Sequence, residues 1–124
     1  MKTFIFTLCL LISSPAFAWD ERHTLWTVST VAIVADWGTT LDIENHSDQH
    51  ETNARMGTHP PRFEVNRHFT VLMLLHGIGN YAIQQIPKNS SWYTFLLYSE
   101  NIGITLGHGT AALNNVRLGL SLNF

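Results

Sequence analysis

The chain has 124 residues, which is enough for a single domain. Charged residues make up 13% of it, about half the usual share of roughly 25%. This scarcity argues against an ordinary soluble surface, and the formal net charge of -2 offers no basic patch to a nucleic acid. We therefore expect no nucleic-acid partner and consider membrane and envelope proteins first.

Residues 1–18 have the three parts of a secretory signal peptide. Lys2 supplies the positive start, residues 4–12 are apolar, and residues 16–18 form an A-x-A cleavage site. An uncleaved N-terminal anchor helix is the alternative. Cleavage would leave a mature domain of residues 19–124 without Cys9, the only cysteine, so disulfides and thiolate metal sites are excluded from that domain.

Three long segments with few charges predict helices at about residues 24–44, 63–86 and 90–113. At about 1.5 Å per residue, each of these segments can cross roughly 30 Å of hydrocarbon. Alternating apolar and polar residues from 114 to 124 predict an extended tail. The expected fold class is therefore all-α, with three mainly apolar, transmembrane helices and a short extended C-terminal tail.

The basic residues are distributed as expected for an inner-membrane protein. If the mature N-terminus is outside, three spans place the loop at residues 44–67 and the tail inside. The inside segments then hold four arginines, and the outside segments hold Arg22 and Lys88. We expect an exported protein of the inner membrane with lipid as a partner, and a helical bundle in the periplasm is the alternative.

The third apolar segment has a small residue at every fourth position: Ser99, Gly103, Gly107 and Ala111. Steps of four keep these residues in one slowly drifting row, which another helix can approach closely. We therefore expect a helix to pack along this small-residue row. That helix would belong to the same chain, to a second copy or to another protein.

Four polar residues interrupt the apolar segments: Asp36, His76, Glu100 and His108. A lone carboxylate in an apolar medium is costly, so such groups are normally paired, protonated or metal-bound. One hypothesis is a structural hydrogen-bonded network without a cofactor. The alternative is a metal-dependent hydrolase in which these four residues bind zinc, iron or manganese, which would activate a water.

Two histidines of the polar loop are separated by four residues, His46 and His50, and Glu51 follows directly. If this turn is helical, the two rings share a face and can bind a metal ion. Solvated loop histidines are the alternative.

Four motifs resemble a family of small uncharacterised bacterial and phage proteins that are exported or membrane-bound. These motifs are residues 35–40 (ADWGTT), 51–53 (ETN), 57–60 (GTHP) and 65–69 (VNRHF). The resemblance covers nearly the whole mature chain and implies a D-x-x-x-T helix, an E-x-N-P-x-x-G-x-x-P loop and two more apolar helices. Ala54 departs from the pattern, which has proline at that position.

The resemblance implies an architecture without a known activity, and its loop motif contains Glu51, Asn53, Gly57 and Pro60. It raises the weight on six residues to test: Asp36, Glu51, Asn53, His76, Glu100 and His108. The sequence assigns no catalytic residue. We expect a small exported membrane or envelope protein of structural or interaction type, with a buried polar network.

Overall fold

The computed structural model describes residues 20–51 and 56–124. Most of them belong to three helices, α1 (Glu21–Leu41), α2 (Arg62–Gln84) and α3 (Ser91–Arg117), and a 3-10 helix at Ile43–Asn45 follows α1. These residues form no strand, so the predicted all-α class is confirmed, with each helix end within four residues of its predicted position. The predicted signal peptide and Asn53 lie outside the described residues.

Local capping explains where the helices begin. The Asp20 side chain accepts a hydrogen bond from the His23 N–H at 3.1 Å, which starts α1. Pro61 precedes α2 with an extended backbone, because the two adjacent prolines keep the chain out of helix before Arg62. Ser90 caps α3 by accepting from the Trp92 N–H at 3.2 Å.

The end of α3 corrects the predicted extended tail. Residues 114–117 continue the helix, although their apolar and polar residues alternate. The helix ends in a Schellman motif, in which Leu120 N–H donates to Asn115 O and Gly119 N–H donates to Val116 O. Gly119 has a φ of 91°, a conformation that favours glycine. The tail therefore starts after Arg117.

Two apolar clusters hold the helices together. The larger cluster lies around the C-terminal half of α1, where Phe69 and Ile33 are fully buried and Trp37 stacks on Phe69 at 5.9 Å between ring centroids. The smaller cluster comprises Ile83, Tyr93 and Leu97. α1 packs mainly on α3, whereas α2 makes its larger contact with α1.

Large apolar side chains cover much of the outer surface. On α2, five of them recur at steps of three and four residues and are 49–65% exposed: Val71, Leu74, Leu75, Ile78 and Tyr81. We call these five residues the outward face of α2. In the described ranges, 20–51 and 56–124, no helix has both the length and the mean hydropathy of a membrane span.

The small-residue row also lies on the outside of the molecule. Ser99, Gly103 and Gly107 are exposed, and Ala111 is half-buried. A Cβ atom built on Gly103 or Gly107 would meet no neighbour within 4 Å. Neither α1 nor α2 therefore packs closely against these glycines. The prediction that a helix packs along this row now applies to a helix of a second chain.

Candidate functional site

The four polar residues of the apolar segments lie in two pairs. His76 Nδ1 is 3.2 Å from Glu100 Oε1, and His108 Nδ1 is 2.6 Å from Asp36 Oδ2. In the part of the chain that the structure describes, no group of three or more His, Cys, Asp or Glu residues is arranged to hold a metal ion. The arrangement supports the structural network and does not assemble the four-ligand metal site.

The His76–Glu100 pair belongs to a network that joins all three helices. Ser29 Oγ lies 2.8 Å from Asn101 Oδ1 and 3.0 Å from His76 Nε2. Asn101 Nδ2 donates to Asn80 Oδ1, and Asn80 Nδ2 donates to Glu100 Oε1, both at 3.2 Å. The five residues thus form a closed circuit of hydrogen bonds, and four of them are buried.

The direction of these hydrogen bonds follows from the groups involved. Asn101 Oδ1 can only accept, so the Ser29 hydroxyl donates to it. The Ser29 oxygen then accepts from His76, whose Nε2 must carry a hydrogen. A proton between His76 Nδ1 and Glu100 Oε1, on either the ring or the carboxyl group, completes the contact. The network therefore fixes the orientation of the His76 ring on both sides.

Gly79 lets α2 approach the Glu100 side chain closely. A Cβ atom at Gly79 would lie only 2.7 Å from Glu100 Oε1. The other carboxyl oxygen, Oε2, is buried without a hydrogen-bond partner among the described residues. Because a buried carboxyl oxygen without a donor is already costly, the remaining contacts of Glu100 cannot be shifted freely.

The Gly79→Ala variant is therefore expected to lower the free energy of unfolding by about 1 kcal/mol, because the hydrogen bonds that the displaced Glu100 loses outweigh the gain in helix propensity. Gly77→Ala is the matched control on the same helix, since its added Cβ meets nothing within 4 Å. The control should gain about 0.5–1 kcal/mol from helix propensity. Denaturant unfolding of both variants measures the contrast, and equal shifts would contradict the tight contact.

The second pair borders a cavity of about 320 Å³. Asp36 is 7% exposed, and its Oδ1 accepts from the Thr40 hydroxyl at 3.4 Å while its Oδ2 contacts His108. The Nε2 atom of His108 has no hydrogen-bond partner among the described residues. A histidine that a carboxylate orients at Nδ1 can exchange a proton through Nε2 with a molecule in the cavity.

The loop before α2 contributes to the same cavity. His50 and Glu51 line it, together with His68 of α2 and the Phe69 ring. The Glu51 N–H donates to Thr58 O at 2.9 Å and closes the loop. Of the other loop-motif residues, Gly57 has a φ of 78°, which favours glycine, and Pro60 is buried. The structure thus brings Glu51 to the cavity of the Asp36–His108 pair.

His46 does not pair with His50. Its Nδ1 atom lies 3.0 Å from the Asp42 backbone oxygen, at the end of α1. Residues 47 and 48 form a turn, so the helical spacing that would place both rings on one face is absent there. His50 instead contacts His59, with His50 Nδ1 3.1 Å from His59 Nε2.

Asp42 is a further buried charged residue, which no sequence pattern had predicted. Its Oδ2 atom accepts from the Ser121 N–H at 2.9 Å and from the Ser121 hydroxyl at 3.0 Å. Asn45 and Asn123 donate to Oδ1. The Ser121 N–H, followed by the Asn45 side chain, lowers the pKa of Asp42 from its ordinary value of 3.8 to about 2.

Seven-residue spacing relates the polar residues of α1 and of α3. Ser29 precedes Asp36 by seven residues on α1, and Asn101, His108 and Asn115 follow the same step on α3. Asn115 Nδ2 donates to a threonine at the end of α1 at 3.0 Å. Two helical turns return to nearly the same face, so this spacing is the sequence pattern from which Ser29 and Asn115 could have been predicted.

The chain matches no family model, no curated protein and no solved structure. The resemblance to the family of small exported or membrane-bound proteins therefore stays a prediction.

Proposed function

We propose that the protein is a small exported envelope protein of the inner membrane that works in contact with lipid and has a structural or interaction role. The main observation that supports this proposal is the distribution of polar and apolar side chains. Polar side chains are concentrated in the interior, where Ser29, His76 and Asn101 are at most 3% exposed, whereas the outward face of α2 is apolar. Ordinary soluble proteins rarely expose contiguous apolar surface of this kind.

The positions of the charges support the same proposal. Residues 24–35 of α1 contain no formal charge, and neither do residues 68–86, which include most of α2. On α3, the acidic Glu100 is engaged by His76 and Asn80. Apart from the buried Asp36, the other charged residues of the three helices lie near the helix ends, as expected if the middle of the bundle contacts hydrocarbon and its ends contact water or headgroups.

The cost of leaving the outward face in water also favours a covered state. Burying a side chain the size of Val, Leu or Ile gains about 1.5–3 kcal/mol relative to exposure. The four aliphatic residues and Tyr81 of the outward face are 49–65% exposed, so each forgoes roughly half of such a gain. The sum is several kcal/mol, a sizeable part of the roughly 5–15 kcal/mol stability of a whole domain. Two of the residues that lower the mean hydropathy of this helix, His76 and Asn80, are buried in the bundle and would not meet the lipid.

The small-residue row supports the interaction part of the proposal. Gly103 and Gly107 leave open space beside α3, and large side chains such as Ile102 and Leu106 stand next to them. In lipid, such a notched surface allows close approach of a second helix. The partner in this proposal is a helix of another copy or of another envelope protein.

Site-directed spin labelling tests lipid contact. We would compare Ile78→Cys, on the outward face of α2, with Glu44→Cys, an exposed position after α1, both in a Cys9→Ser background and in lipid vesicles. The label at position 78 should be accessible to oxygen and protected from a water-soluble nickel chelate, because oxygen concentrates in hydrocarbon. The label at position 44 should show the opposite behaviour.

Equal accessibility of both labels to the nickel chelate would overturn the proposal. Strong spin–spin coupling between copies at position 78 would also overturn lipid contact there, since the outward face would then be a protein interface. The metal-dependent hydrolase hypothesis has no observation that favours it, because its proposed ligands lie in two separate pairs.

A further inference from the structure

Two exposed histidines of the loop before α2 face each other through their ring nitrogens. His50 Nδ1 lies 3.1 Å from His59 Nε2, and the rings meet edge to face with their centroids 4.8 Å apart. Both residues are exposed, so the pair is open to ions in solution. Neither belongs to the buried network of the three helices.

The backbone of the loop holds the two rings near each other. Glu51 N–H donates to Thr58 O at 2.9 Å, and this bond joins the two ends of the loop. His50 precedes Glu51 and His59 follows Thr58, so the closed loop places the two histidines side by side. Because the backbone bond does not involve the imidazoles, it can hold the pair whether or not a ligand is bound.

We propose that His50 and His59 form a two-histidine site for a divalent transition metal such as zinc. Two nitrogens on one tetrahedral zinc ion, each at about 2.0–2.1 Å, are roughly 3.3 Å apart. The observed 3.1 Å is close to this separation, so the ion requires only a small movement of the rings. Neutral imidazole is a good ligand for zinc, copper, iron and nickel.

The protons can be accounted for without an additional reactant. The contact between the neutral rings uses one N–H, which either His50 Nδ1 or His59 Nε2 carries. When the metal binds, that proton moves to the other nitrogen of the same ring, and both facing nitrogens present lone pairs to the ion. The site therefore binds metal with no net loss of a proton from neutral rings.

Because of its location, the metal site has a role beyond the proposed lipid contact. The site does not depend on that contact. His50 also lines the cavity of Asp36 and His108. With two protein ligands, the metal keeps coordination positions open for water or a small molecule. A metal held there would tie the loop together beside the cavity, and its open positions would be available to a ligand of that cavity.

Isothermal titration of the untagged full-length protein with zinc chloride tests the site. We expect one zinc per chain, and at least tenfold weaker binding in both His50→Ala and His59→Ala. His46→Ala is the matched control from the same loop region, because its ring bonds Asp42 instead, and its affinity should equal that of the wild type. Circular dichroism of each variant checks that the helices remain folded.

Three results would overturn the proposal. These are no zinc binding by the wild-type protein, wild-type affinity in folded His59→Ala, and an equal loss of affinity in the His46→Ala control. Spin-label results on lipid contact bear on the proposed function only, so failure of one proposal is distinguishable from failure of the other.

Discussion

Replacing Asn101 with alanine is expected to lower the free energy of unfolding by about 3 kcal/mol. The side chain is fully buried. Its amide accepts from Ser29 and donates to Asn80 and to the Leu97 backbone oxygen, so the truncation removes three hydrogen bonds. The Asn80 oxygen would then lie in the interior without its donor, at a cost of about 1–3 kcal/mol, whereas the Ser29 hydroxyl keeps the Trp26 backbone oxygen as an acceptor at 3.0 Å.

Ile102→Ala is the matched control for this prediction. Ile102 is the next residue on α3, and its side chain is 43% exposed, so the truncation leaves no polar group unpaired. Denaturant unfolding of both variants in the same lipid mimetic gives the comparison. If Asn101→Ala is no more damaging than Ile102→Ala, the network does not hold the helices together.

A double-mutant cycle with Asn80→Ala measures the coupling between two members of the network. Because Asn80 and Asn101 share one hydrogen bond and belong to the same circuit, their effects should not add. We expect the double variant to be more stable than the sum of the single effects predicts, by about 1 kcal/mol. Additive effects would mean that the hydrogen bond between Asn101 and Asn80 contributes no measurable stability.

The helices could be predicted because long stretches without charge are a local property of the sequence. Residues 68–86 contain no Asp, Glu, Lys or Arg, and α2 occupies Arg62–Gln84. The end of α3 was predicted wrongly because residues 114–117 have the alternation of a strand. Hydrogen bonds to the preceding turn and the Schellman motif at Gly119 keep those residues helical.

The exposed glycines show why the buried face of α3 was difficult to predict. On a helix, position 103 lies about 200° from position 101, so both cannot face the same neighbour. The amide of Asn101 requires buried partners and faces the interior, which turns Gly103 to the outside. The small residues do recur at every fourth position of α3, but the polar residues of the same helix decide which face is buried.

The four residues of the two polar pairs could be identified from the sequence, but which residue pairs with which could not. Asp36, His76, Glu100 and His108 were identified because each interrupts an apolar segment. Their pairing depends on the relative height of the three helices, which no local pattern encodes. The contact between Asp42 and the C-terminal tail was missed for a related reason. It requires the tail to fold back onto α1, where Asn123 N–H donates to Gly38 O at 3.0 Å.

Asp42→Asn is expected to lower the free energy of unfolding at neutral pH by on the order of 2 kcal/mol. The carboxylate is buried and accepts hydrogen bonds from Ser121 and Asn123, which attach the C-terminal tail to the end of α1. An amide at this position presents an NH₂ group to one of these donors. The variant therefore loses acceptors, and the tail should detach more easily.

The pH dependence of this difference gives the sharper test. The folded-state pKa of Asp42 is about 2, below its ordinary value of 3.8, so the carboxylate binds fewer protons in the folded than in the unfolded protein. Its contribution is fully present above about pH 4 and decreases as the pH falls towards about 2. The unfolding temperatures of wild type and Asp42→Asn should therefore converge over this range.

Asp48→Asn, at an exposed loop position, should match the wild type throughout. A constant difference between wild type and Asp42→Asn down to about pH 2 would mean that the carboxylate charge does not attach the tail.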